Sequence, residues 1–66
     1  MRVIVNGRET ELPGGVTLAE VVRPLTAAPE GVAAAVDGVV VPRRLWPDHL
    51  MTDGARVEVV VAVQGG

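Results

Sequence analysis

The chain ends in Gly65-Gly66, and this pair is where its chemistry would lie. A carboxylate on a residue with no side chain, carried by an equally bare stem, enters a narrow channel that a Cβ would obstruct. There it can attack the α-phosphate of ATP and leave as an acyl-adenylate. The chain has no means of catalysing that step itself. It contains no Ser, Cys, Lys, Tyr or Phe. A Ser or Cys nucleophile and a Schiff-base lysine are therefore excluded, as are disulfides and thiolate metal sites. The single histidine, His49, makes no His-based metal centre alone. Activation of Gly66 must come from a partner enzyme, with Gly65 and Gln64 lying in that partner's channel.

The rest of the chain has to present this end. At 66 residues it is one domain, expected over residues 1–63 with a flexible tail at 64–66. A domain of this size buries only about 60% of its unfolded surface, so stability must come from apolar packing, and 48% of the residues are hydrophobic. A net charge of -2 and a single Trp argue against nucleic-acid binding. The longest apolar runs, 32–36 and 59–63, are far short of the about 20 residues that span a membrane. No secretory signal is visible, so the expected location is cytoplasmic.

Residues 1–5 are apolar apart from Arg2, with β-branched Val3, Ile4 and Val5, and Asn6-Gly7 is a two-residue hairpin signal. Return of residues 8–12 as the second strand would pair Val5 with Arg8, Ile4 with Glu9, Val3 with Thr10 and Arg2 with Glu11. Met1, Val3, Val5 and Leu12 would then share one face, and Arg2, Ile4, Glu9 and Glu11 the other. Pro13-Gly14-Gly15 is a turn. Thr17 and Glu20 form a capping box for a helix with Leu18, Val21, Val22 and Leu25 at helical spacing, and Pro24 ends or kinks it. The three alanines of 32–36 favour helix, but Gly31 and Asp37-Gly38 bracket a strand and a second hairpin returning through 39–41. Residues 43–50 read as a short helical turn with Leu45, Trp46 and Leu50 on the core. Asp53-Gly54 is a third turn, and 56–63 reads as a central strand buried on both faces. The order β-β-α-β-β-β is that of the β-grasp, or ubiquitin-like, architecture: an α+β fold with one main helix on one face of a mixed sheet.

The sequence resembles the sulfur carrier proteins of thiamine biosynthesis, the ThiS group of the β-grasp superfamily. The residues that carry the resemblance run from Val36-Asp37-Gly38-Val39-Val40-Val41-Pro42-Arg43 through Trp46, Leu50, Asp53-Gly54 and Val57-Glu58-Val59 to Gly65-Gly66. Val5-Asn6-Gly7 and Thr17-Leu18-Ala19-Glu20 add to it. Val41-Pro42-Arg43 followed by Trp46 separates this group from its sister, the small subunit of molybdopterin synthase. Pro24 within the helix and Ala55 after the third turn depart from the pattern without touching the tail.

The resemblance implies a cycle. An E1-like adenylating enzyme, using ATP and Mg²⁺, activates Gly66. A cysteine desulfurase or sulfurtransferase supplies persulfide sulfur. The resulting thiocarboxylate gives its sulfur to thiazole synthase, and the chain itself binds no cofactor. The alternatives are a carrier for molybdopterin or another thiolation route, and a non-catalytic β-grasp binding module.

With one helix on one face, the other face would expose Ile4, Val60 and Ala62 beside Glu58. An apolar patch of this kind marks a partner-docking surface near the tail. Arg43 and Arg44 read first as a solvated corner, with docking against an acidic partner as the lesser reading. His49 is expected in a loop without chemistry.

Overall fold

The computed structural model describes residues 1–61. Strands β1 (Arg2–Val5) and β2 (Arg8–Glu11) are followed by helix α1 (Leu18–Val22), then β3 (Val32–Val36), β4 (Val39–Val41) and β5 (Arg56–Val61). They form a five-stranded sheet in the order β2-β1-β5-β3-β4. β1 and β5 are parallel, and the other neighbours are antiparallel. The final strand therefore lies at the centre, as the element order implied.

The first hairpin has the expected register, with Val5 opposite Arg8 and Arg2 opposite Glu11. Its two-residue turn needs positive φ at both central positions, and Asn6 and Gly7 supply it at 51° and 80°. The second hairpin repeats the device with Asp37 at 50° and Gly38 at 84°. Arg2 joins Glu11 at 3.0 Å and Glu9 at 3.4 Å on the open face. Both pairs are exposed, so they contribute little.

The capping box forms in full: Thr17 Oγ1 accepts from the Glu20 N–H, and Glu20 Oε1 accepts from the Thr17 N–H. Leu18, Val21 and Val22 are buried against Val3, Ala34, Val41 and Val57 of the sheet. The helix ends where Pro24 requires, and Arg23–Leu25 continues as a 3₁₀ turn. That change corrects the expectation for Leu25, which is 45% exposed. A 3₁₀ turn advances by three residues rather than 3.6, so position 25 rotates off the apolar stripe.

The connection between β4 and β5 closes the core. Arg43–Asp48 is a 3₁₀ segment despite Pro47, and it buries Trp46. The indole Nε1–H donates to the Val41 carbonyl at 2.8 Å. Leu45 and Leu50, expected on the core, are 40% and 62% exposed. At Leu50 the backbone bridges Thr17 in strand fashion. Alternation then turns Leu50 outward and Met51 inward, and Met51 is the buried residue.

β5 also departs from expectation. It is central but not buried on both faces: Val57 is 1% exposed, whereas Val60 and Val61 are 62% and 56% exposed. The helix covers one face only. With five residues, α1 is about 7.5 Å long, less than half the about 20 Å of the six-residue β5.

Candidate functional site

The proposed reacting end, Gly66, lies outside the described residues, with Gly65, Gln64, Val63 and Ala62. The structure does describe the strand from which this segment continues, and it shows how that strand is held.

β5 is anchored on both sides by hairpin-turn residues. On the β1 side, the ladder proper covers only Ile4–Arg56 and Val5–Val57. Asn6 extends it: its N–H donates to the Val57 carbonyl at 2.8 Å, and its Oδ1 accepts from the Val59 N–H at 2.8 Å. The amide side chain thus takes the place of a further backbone acceptor as the main chain turns away. On the β3 side, the Asp37 N–H donates to the Arg56 carbonyl at 2.8 Å, and Asp37 Oδ1 accepts from the Arg56 N–H at 3.0 Å. From there β5 pairs along the full length of β3, ending at Val32 opposite Val61. The segment that follows is therefore carried by a strand fixed on both edges.

Sequence reasoning read Asn6 and Asp37 as turn residues and missed these bonds. The signal was present in the residue type, because Gly would also satisfy the turn but would offer no acceptor. The role supports a prediction. Asn6→Gly retains the positive φ and removes the acceptor, so it is expected to destabilise the domain by about 1–2 kcal/mol. Asn6→Asp keeps the acceptor and should cost less than half of that. Chemical denaturation of the two variants checks the order; equal losses would mean that the Val59 bond contributes nothing.

Of the proposed docking residues, Ala62 lies outside the described residues, and Ile4, Glu58 and Val60 share the open face but do not form one patch. Ile4 is half-buried beneath Arg2, Glu9 and Glu11 at the end of the sheet near Asp53 and Gly54. Val60 lies four residues beyond Arg56, the partner of Ile4, about 13 Å along the strand. Val60 sits opposite Ala33, and exposed Glu58 opposite Ala35, which in turn faces Val40. The apolar surface near the end of β5 is thus Val60, Ala33 and Val40. Val40, 68% exposed, is an addition that pattern reading on single strands did not supply.

His49 is half-buried in the loop expected for it, and its carbonyl accepts from the Leu18 N–H at 2.8 Å. Among the described residues no three His, Cys, Asp or Glu side chains gather as a metal site, and no helix is long and apolar enough to cross a membrane.

A family model of the ThiS family matches residues 3–66, nearly the whole chain and including the terminal glycines. The chain belongs to the ThiS family. The sulfur carrier protein ThiS of Escherichia coli strain K12 is 27% identical over 66 residues, covering all of both chains. The crystal structure of the thiamine biosynthesis protein ThiS from Geobacter metallireducens superposes with a TM-score of 0.83 at 26% identity, again over all of both chains. A solution NMR structure of a thiamine biosynthesis protein from the same organism gives 0.79 at 28% identity, covering all of this chain and 88% of the other. The mixed sheet with its short helix is thus the β-grasp fold of ThiS, as the element order and the resemblance implied.

Proposed function

We propose that this ThiS-family chain is a sulfur carrier of thiamine biosynthesis and that Gly66 bears the sulfur. The observation that carries the reading is the family match, which runs through the β-grasp core to the two terminal glycines. The chain is a protein co-substrate, in keeping with its lack of a Ser, Cys or Lys nucleophile. A partner adenylating enzyme joins the Gly66 carboxylate to AMP from ATP, with Mg²⁺ and release of pyrophosphate. A persulfide, formed by a cysteine desulfurase or sulfurtransferase, displaces AMP and leaves an acyl disulfide. A second thiol then attacks the donor's cysteine sulfur, forming a disulfide with it and releasing the thiocarboxylate. Thiazole synthase accepts that sulfur while it builds the thiazole ring. The fixed end of β5 holds the root of the tail at a set position relative to whichever enzyme is docked, which favours a reactive geometry at Gly66.

The test is intact-protein mass spectrometry after incubation with ATP, Mg²⁺, the cognate adenylating enzyme and a persulfide source. Replacement of one oxygen by sulfur, localised to Gly66, is expected. An unchanged mass with an enzyme proven active on another carrier counts against this route.

The open face supplies a second measurement. Val60 is exposed, so Val60→Glu should fold normally. A charge within the apolar patch is expected to lower productive docking about tenfold, read as a higher KM for the carrier in adenylation or in sulfur transfer. A folded variant with unchanged kinetics in both steps removes this face from the docking surface.

A further inference from the structure

Three of the chain's arginines meet at one corner of the fold. Arg23 closes the C-terminal end of α1, while Arg43 and Arg44 open the 3₁₀ segment after β4. Arg23 and Arg43 line one groove together with Trp46. Arg43 and Arg44 line the adjoining depression with Glu30, Val32 and Pro42. All three arginines are exposed. Among the described residues, Arg2 alone makes ion pairs, so none of the three is within 4.0 Å of a carboxylate. The chain has a net charge of -2, so this corner opposes the sign of the whole molecule even with Glu30 at its rim.

Its position gives the corner a meaning. Val32, in the depression beside Arg43 and Arg44, is the strand partner of Val61. Val61 is the last residue of β5, from which the chain continues to Gly66. The arginine corner therefore stands beside the root of the tail, at the same end of the sheet.

We infer that Arg23, Arg43 and Arg44 form a docking surface for an acidic patch on the adenylating enzyme, next to the channel that takes the tail. The inference rests on the carrier reading. Guanidinium groups fit carboxylates through paired N–H···O bonds, a planar match that a protein surface rich in Asp and Glu provides. Three charges with one acid among them and no exposed aromatic platform make a poor nucleic-acid site. An exposed charged patch acts mainly on the rate and register of encounter. Its signature is therefore a KM for the carrier that is sensitive to these residues and to salt, with kcat preserved.

The experiment is ATP–pyrophosphate exchange by the cognate adenylating enzyme, titrated with the full chain at low and high salt. The double variant R43E/R44E, shown folded by circular dichroism, is expected to raise KM about tenfold or more at low salt without changing kcat. The rise of KM with salt seen for the parent chain should flatten or reverse in the variant. R43K/R44K keeps the charge without the fork and should fall between the two. Arg8→Glu, on β2 at the opposite edge of the sheet, makes a single charge reversal away from the corner and should leave KM nearly unchanged. If R43E/R44E matches the parent in KM and salt dependence, the inference is wrong while the carrier reading stands. The same holds if it loses only kcat, or if Arg8→Glu raises KM as much. If the parent chain supports no exchange with an enzyme active on another carrier, the carrier reading itself fails.

Discussion

A chain shortened by Gly66 is expected to keep its fold and to lose sulfur loading completely. The two halves of this result have separate causes. Among the described residues every buried core residue lies between Val3 and Val57, and the bonds that hold β5 come from β1, Asn6, Asp37 and β3. Removing residue 66 touches none of them, so thermal stability should change by no more than about 0.5 kcal/mol. The proposed reaction, by contrast, needs a carboxylate at a set reach from β5. Loss of one residue draws it back by about 3.3–3.6 Å, and misplacement of reacting atoms by even 1 Å costs on the order of 10²-fold. The new terminal carboxylate would be that of Gly65, chemically competent but short of the nucleotide. Gly65→Val should be damaged for a different reason, because its Cβ and methyls would have to enter the narrow partner channel proposed for the tail; a loss on the order of 10²-fold or more is expected with the terminus intact. Intact mass spectrometry reads loading, and calorimetry reads the fold. A shortened chain that still gains sulfur would overturn Gly66 as the reacting residue, and a shortened chain that unfolds would mean that the end belongs to the domain.

The parts of this molecule that were legible in the sequence are those set by local chemistry. The register of the first hairpin follows from Asn6-Gly7, because a two-residue turn and a period of two leave no freedom. The start of α1 follows from Thr17 and Glu20, and its end from Pro24. The three alanines of β3 show tertiary context overriding propensity: Ala34 is buried beneath α1, where a small side chain lets sheet and helix approach closely. The errors have a common origin. Helical spacing puts Leu25 on the core, and size and apolarity put Leu45 and Leu50 there, but their direction depends on whether the backbone runs as α-helix, 3₁₀ or extended chain. Composition does not report that. The apolar end of β5 was read as evidence of two-sided burial, whereas a helix of five residues leaves that end uncovered. The candidate site divides in the same way. Gly65-Gly66 lies outside the described residues, and its role rests on the residue types and the family match. The anchors of β5 and the place of Arg23 beside Arg43 and Arg44 are not readable, because residues 6 and 59, 37 and 56, or 23 and 43, become neighbours only in the folded chain.

Trp46 carries the largest expected effect on stability. It is 3% exposed and walls the core from a segment without α or β structure, so its packing is the main tie of that segment to the sheet. At roughly 0.05–0.15 kcal/mol per residue, a domain of 66 residues has about 3–10 kcal/mol of total stability. Trp46→Ala removes about 3–5 kcal/mol of packing. It also leaves the Val41 carbonyl without its indole donor, a further penalty of about 1–3 kcal/mol wherever water does not replace it. The two terms overlap, but even the first alone is comparable to the whole, so the alanine variant should be largely unfolded at 37 °C. Trp46→Phe separates the terms. The smaller ring retains much of the packing and loses the bond, so that variant should stay folded with a midpoint lowered by roughly 5–20 °C. Circular dichroism melts of both variants make the comparison, since the Phe variant has no tryptophan to report. If Trp46→Ala lost only about 1 kcal/mol, the connection would collapse onto α1 without its indole, and the exposed Leu45 beside it would be the side chain free to turn inward. The double variant with Leu45→Ala would then show the missing loss.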